Sequence, residues 1–145
     1  MNLNIYNGDI AADDRGHVTF INDFDFNNVK RFYMVENHAA GFIRAWHGHK
    51  NEGKYVFVPK GSILLGAVKI DNWETPSSNL NVEKYTLSEK KPKVIYIPPG
   101  YANGFMNLEL NTKVLFFSTS TLSESMGDDF RYQYDKWNIW SIEYR

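Results

Sequence analysis

The 145-residue chain contains no cysteine. A disulfide framework, a thiolate nucleophile and a Cys-ligated zinc site are therefore excluded. An excess of charge of either sign is also missing: 16 Lys and Arg against 17 Asp and Glu leave a formal net charge of -1. So balanced a chain is not built to neutralise the phosphates of a duplex, and no nucleic-acid partner is expected. No apolar run approaches the ~18 residues that a bilayer span requires, so no membrane partner is expected either. The opening MNLNIYNGDI has neither the basic start nor the apolar stretch of a secretory signal, which makes a cytoplasmic protein the expectation. Glycine and proline are sparse, 10 and 5, whereas aromatics reach 16%. That composition predicts a folded chain with a sizeable core, a single domain over residues 1–145.

Long helical periodicity is scarce before the C-terminal quarter. Short runs rich in Val, Ile, Phe and Tyr recur instead, at 17–22, 29–36, 42–47, 54–59, 62–71, 81–87, 93–97, 104–108 and 112–118. Turn signals separate them: Asp14-Arg15-Gly16, Lys60-Gly61, Pro98-Pro99-Gly100 and Glu109-Leu110-Asn111. Many short strands joined by tight turns predict an all-β antiparallel sandwich or barrel. Residues 73–81 read as a surface loop, and Asp128-Asp129 as a solvated turn. Phe130, Tyr132, Tyr134, Trp137 and Trp140 crowd the tail, and that much aromatic surface must be covered by the body or by a second subunit. Buried packing is the expectation for most of the four tryptophans, and a surface or loop position for His17 and His38.

The densest polar cluster is Arg44-Ala45-Trp46-His47-Gly48-His49-Lys50. On a strand, alternation puts His47 and His49 on one face, with Arg44 and Trp46 on the other. Two imidazoles on one wall can begin a metal site, or can be solvent-facing residues near a strand end.

The surroundings resemble the two-part signature of the cupin superfamily. Gly41, five further residues, His47-x-His49 and Gly61 match its first half. Pro98-x-Gly100, Asn103 and Asn107 match its second. The resemblance implies a double-stranded β-helix, a jelly-roll barrel. Where a metal-binding cupin has a carboxylate and a further imidazole, this chain has Lys54 and Asn103, while Glu52 sits slightly too close to the histidines. A cation and a neutral amide are poor ligands for a divalent ion, so neither a metal nor another cofactor is expected. A site of His47, His49 and Glu52 is the minority alternative. A pocket with imidazole and ammonium but no metal suits enolisation: the imidazole takes a proton from carbon beside a carbonyl, and the cation stabilises the enolate oxygen.

The chain also resembles the dTDP-4-dehydrorhamnose 3,5-epimerases, cupins that act on nucleotide-linked 4-keto-6-deoxy sugars. The carrying segments are Asp14-Arg15-Gly16, Glu36-Asn37-His38, Ile43-Arg44-Ala45-Trp46-His47, Gly53-Lys54-Tyr55-Val56, Tyr96 through Phe105, and Asp135 through Trp140. The resemblance implies His47 as the base, Asp135 as the carboxylate that orients and charges it, and Lys54 as the enolate stabiliser. It implies Arg15, Asn37, Arg44 and Asn103 as groups that hold the diphosphate, nucleoside or sugar. The family's tyrosine acid is replaced by Thr121 or Leu122, which makes epimerisation at one carbon, C3, an easier demand than at two. Arg44, His47, His49 and Lys50, with Tyr33 on the preceding strand, also match the related dTDP-sugar 3,4-ketoisomerases, which move protons on one face. The expectation is a metal-independent isomerase that binds a nucleotide sugar and forms a homodimer. The alternatives are a ketoisomerase using His47 and His49, and a sugar-nucleotide-binding cupin without turnover.

Overall fold

The computed structural model describes residues 3–145, and the chain over that span is almost entirely β. One antiparallel sheet runs, in spatial order, β1 (Asn4–Asn7), β9 (Lys93–Ile97), β6 (Lys54–Lys60), β11 (Lys113–Ser118) and β4 (Arg31–Val35). The second runs β12 (Phe130–Arg131), β5 (Ile43–His49), β10 (Tyr101–Asn107), β7 (Ser62–Lys69) and β8 (Val82–Ser88). A separate hairpin joins β2 (Asp9–Asp13) to β3 (Gly16–Phe20), and one short helix, α1, spans Leu122–Met126. This is the double-stranded β-helix expected, with an aromatic-rich C-terminal segment. From β4 to β7, and again from β8 to β12, consecutive strands alternate between the two sheets: β5 and β6 are joined by a four-residue turn but belong to different sheets. That crossing places the histidines of one sheet opposite the lysine of the other.

The main core lies between the sheets. Val56, Val58, Ile95, Val114 and Phe116 of the first sheet meet Ile63, Leu65, Ala67 and Phe105 of the second. The second sheet is buried on its other face too, which is why β7 reads as a nearly continuous apolar run. Its Leu64 and Val68 point away from the main core and pack with Trp46, Ala102, Met106, Trp137 and Trp140. The tail tryptophans, Trp137 and Trp140, are therefore covered by their own chain, whereas Tyr134 stays exposed. Trp46 is fully buried, donates its indole N–H to the Tyr134 carbonyl at 3.1 Å, and meets the Trp137 ring edge-on at 5.6 Å. Gly66 makes room for it: a Cβ there would lie 2.7 Å from the Trp46 ring.

The sequence-predicted strands recur with shifts of up to three residues at their ends, and 93–97 coincides with β9. The loop over 73–81 is also as expected, as are the exposed His17 and His38. Strands β1, β2 and β12 and helix α1 were not expected. The helix has a legible signal, however: Thr121 caps the Glu124 backbone N–H while the Glu124 side chain accepts from the Thr121 backbone N–H.

Candidate active site

A cavity of about 280 Å³ opens between the sheets, lined by Arg31, Tyr33, Arg44, His47, His49, Lys54 and Asn103 among others. Six of the nine residues picked from sequence thus share one wall system. Tyr33 comes from β4, Arg44 and both histidines from β5, Lys54 from β6 and Asn103 from β10.

Arg44 reaches this cavity against the simple alternation rule. The β5–β10 register pairs Asn103 with His47 but Phe105 with Arg44, so three steps on β5 oppose two on β10. The bulge carries one extra residue and returns Arg44 to the face of His47, while Trp46 points to the opposite core. Arg44 is then aimed by Asn37, whose amide oxygen accepts from its Nε at 2.6 Å. Asn37 in turn donates to Asn107 Oδ1 at 3.1 Å, so it stands behind Arg44 and does not line the cavity.

The two imidazoles differ. His49 Nδ1–H donates to the Asp128 carbonyl at 2.6 Å, which leaves Nε2 as the ring's acceptor, without a hydrogen-bond partner. Burial pushes its pKa below the ordinary histidine value, with Lys54 acting in the same direction. His47 is the more accessible ring. Burial, then the nearby Arg131 and Lys54 charges, push its pKa down to about 4, with Asp129 opposing them. Both rings are neutral at pH 7, the state a base requires.

Lys54 is nearly buried, its Nζ lying 5.9 Å from the Tyr33 ring centroid and 5.7 Å from that of Phe116. Those two rings are stacked at 5.2 Å. Arg31 lies over the same tyrosine at 5.0 Å. The cavity wall thus carries four cations, Arg31, Arg44, Lys54 and Arg131, against the carboxylate of Asp129. A cavity of that sign suits a polyanion such as a diphosphate.

Two sequence choices lie elsewhere. Asp135 is exposed in the turn beyond β12 and does not line the cavity; the carboxylate acting on His47 is Asp129. The cause is β12, which pairs Arg131 with His47 and Phe130 with Gly48 and so brings residue 129 to the cavity, while the chain turns away after Tyr132. Arg15 projects from the β2–β3 hairpin, where it forms an ion pair with Asp13 at 2.5 Å. Lys50 also points away, with its ammonium 5.0 Å from the Phe130 ring centroid.

Sequence reasoning missed more than it misplaced. Of the Asp128-Asp129 pair only Asp129 is exposed as expected: Asp128 is buried and accepts from the backbone N–H groups of Lys50, Asn51 and Glu52 at 2.8, 2.8 and 3.2 Å. Arg31 and Arg131 carried no motif. Leu122, Ser125 and Met126 of α1 form part of the cavity wall, so this stretch offers two apolar side chains and a serine hydroxyl but no tyrosine acid.

With this geometry in view, likeness to known proteins decides the class. The family model described as dTDP-4-dehydrorhamnose 3,5-epimerase matches residues 3–142. The chain belongs to that family. As a member of the dTDP-4-dehydrorhamnose 3,5-epimerase family it is an isomerase. It is 26% identical over 140 residues to the spore coat polysaccharide biosynthesis protein SpsL of Bacillus subtilis, covering 92% of this chain and 91% of that one. It also resembles the crystal structure of the dTDP-4-dehydrorhamnose 3,5-epimerase of Sulfolobus tokodaii, with 26% identity, a TM-score of 0.75 and coverage of 94% and 80%. A sugar 3,4-ketoisomerase from Thermoanaerobacterium thermosaccharolyticum, solved in complex with TDP, shares the fold at 20% identity and a TM-score of 0.69, over 94% and 92% of the two chains. Among the described residues no helix is long and apolar enough to cross a membrane.

Proposed function

We propose that this isomerase enolises a nucleoside-diphosphate-linked 4-keto-6-deoxy sugar and epimerises one carbon beside the ketone, C3. The observation that carries the reading is the facing of His47 and Lys54 across one cationic cavity. The His47 imidazole takes the proton from C3. The C–H electron pair becomes the enolate double bond, and the carbonyl pair moves onto oxygen beside the Lys54 ammonium. Return of a proton to the opposite face of C3 completes the epimerisation, and no electron enters or leaves the sugar. Arg44 and Arg131 hold the diphosphate, and Asn103 a sugar oxygen. The absence of a phenol acid from α1, which offers Leu122, Ser125 and Met126 to the cavity, favours one carbon over two, with water delivering the proton. Likeness to SpsL supports a place in polysaccharide synthesis.

A second reading, the 3,4-ketoisomerase, is favoured by one observation: His49 and Tyr33 line the same cavity as His47. Two bases on one wall suit transfer of a proton between neighbouring carbons. We also propose a homodimer, supported by exposed Phe32 and Met34 on edge strand β4; sedimentation at micromolar concentration tests it.

The deciding experiment incubates the protein with dTDP-4-keto-6-deoxyglucose in heavy water. Deuterium at C3 with the ketone still at C4 is the expected result. A ketone that moves to C3 establishes the isomerase instead. Absence of exchange despite tight binding overturns both and leaves a binding protein.

A further inference from the structure

Glu52 is a buried charge that the reaction above does not use. It lies in the turn between β5 and β6, its side chain is 0% exposed, and it does not line the cavity. A carboxylate so desolvated is costly unless it is met by hydrogen bonds and opposite charge. The chain meets it from four strands. Ser118 of β11 donates to Oε2 at 2.8 Å. Lys54 Nζ of β6 and Arg31 Nη2 of β4 stand 3.8 and 3.9 Å from the same oxygen. His49 Nδ1 of β5 lies 3.6 Å from Oε1, and that oxygen has no hydrogen-bond partner. The three groups gathered round this carboxylate, Arg31, His49 and Lys54, all line the cavity.

We infer that Glu52 is a positioning residue for the isomerase: from behind the wall its carboxylate holds Lys54 and Arg31 at fixed places and sets the charge felt by His49. The assignment rests on the enolising role proposed above. Its logic is electrostatic. Without the carboxylate, two cations and an imidazole stand together at the back of the cavity, where Lys54 and His49 are largely desolvated, and mutual repulsion drives the long Lys54 and Arg31 side chains toward the cavity mouth. The enolate oxygen then meets an ammonium that is misplaced, and displacements of about 1 Å cost on the order of 10²-fold in rate. Substrate binding, carried by Arg44 and Arg131 at the mouth, is affected far less.

The test is Glu52→Gln, which keeps size and removes charge, beside Glu52→Asp, which keeps charge. With dTDP-4-keto-6-deoxyglucose in heavy water, Glu52→Gln is expected to lower kcat for exchange about 10- to 100-fold while KM stays within about threefold. Glu52→Asp recovers part of the rate. Nuclear magnetic resonance supplies the second readout, which needs no substrate. His49 is faced by Lys54, Glu52, Asp128 and His47. Removing Glu52 takes away a charge that raises its titration midpoint, so the midpoint moves down in Glu52→Gln and not in Glu52→Asp. A wild-type kcat in Glu52→Gln overturns the assignment, as does an unmoved His49 midpoint. Equal loss in both variants with that midpoint unmoved marks a merely structural role. Should Glu52→Gln not fold, Ser118→Ala, which frees the carboxylate from its anchor, is expected to lower kcat in the same direction, and wild-type kcat there overturns the assignment. If the wild-type protein itself shows no exchange, the enolising reading fails while the His49 titration still decides the electrostatic role.

Discussion

Arg44 and His47, three positions apart on one strand, face the same cavity because a bulge in β5 adds a residue between them. The guanidinium is braced by Asn37 at 2.6 Å and stands at the mouth, where a phosphate would enter. Arg44→Ala is therefore expected to weaken dTDP binding about 10- to 100-fold, the range for losing a hydrogen bond to a charged group. Titration calorimetry reads it. Asn37→Ala should show a smaller loss of the same kind, since it only aims the arginine.

His47 and Lys54 carry different halves of the same step. His47→Ala is expected to lower deuterium exchange by roughly 10²- to 10⁴-fold. Lys54→Met, which keeps the packing on Tyr33 and Phe116 but removes the charge, should cost on the order of 10²- to 10³-fold. Both variants should keep dTDP affinity within a few-fold. Loss of binding in step with loss of exchange would assign them to the nucleotide instead.

Asp129 and Asp135 can be separated by the same exchange rate. Asp129 opposes the cations that depress His47, whereas Asp135 is exposed outside the cavity. Asp129→Asn should move the His47 titration further down and slow exchange. Asp135→Asn should stay within about twofold of wild type. The reverse pattern would restore the sequence-based partner.

The depressed imidazoles make folding stability depend on pH. The folded His47 value of about 4 lies below the ordinary 6.5, so between these limits the unfolded chain binds more protons. His47 therefore causes no loss above pH 6.5; stability falls as pH drops from 6.5 toward 4 and levels below that. His49, shifted in the same direction, adds to the slope. Urea unfolding at pH 7, 6, 5 and 4 checks this, and His47→Gln should flatten the profile.

Trp46 is the strongest stability prediction. It is fully buried and touches Trp137 and Trp140. Trp46→Ala should cost about 3–5 kcal/mol. Because Trp46 neighbours His47 on β5, loss of the indole should also loosen β12 pairing, read as faster amide exchange at Tyr132.

The strand runs, the turns and the ordered motifs from Arg44 to Asn103 were legible because period-two patterning, glycine and proline act over a few residues. His47 and His49 share a face by alternation alone, and a lysine eight residues after Trp46 is visible in any reading. Three features were decided only by tertiary structure. The bulge that turns Arg44 inward follows from how β5 pairs with β10, more than fifty positions away in the chain. The choice of Asp129 over Asp135 follows from where a two-residue strand docks on β5. The neutralising environment of Glu52 draws on β4, β5, β6 and β11, and no local pattern records that four strands converge on one carboxylate. Short-range patterning shows which groups are available and puts Tyr33, Arg44, His47 and Lys54 on their strands, since both depend on a few neighbouring residues. Which charges meet around the buried Glu52 depends on long-range pairing, and there the fold alone decided.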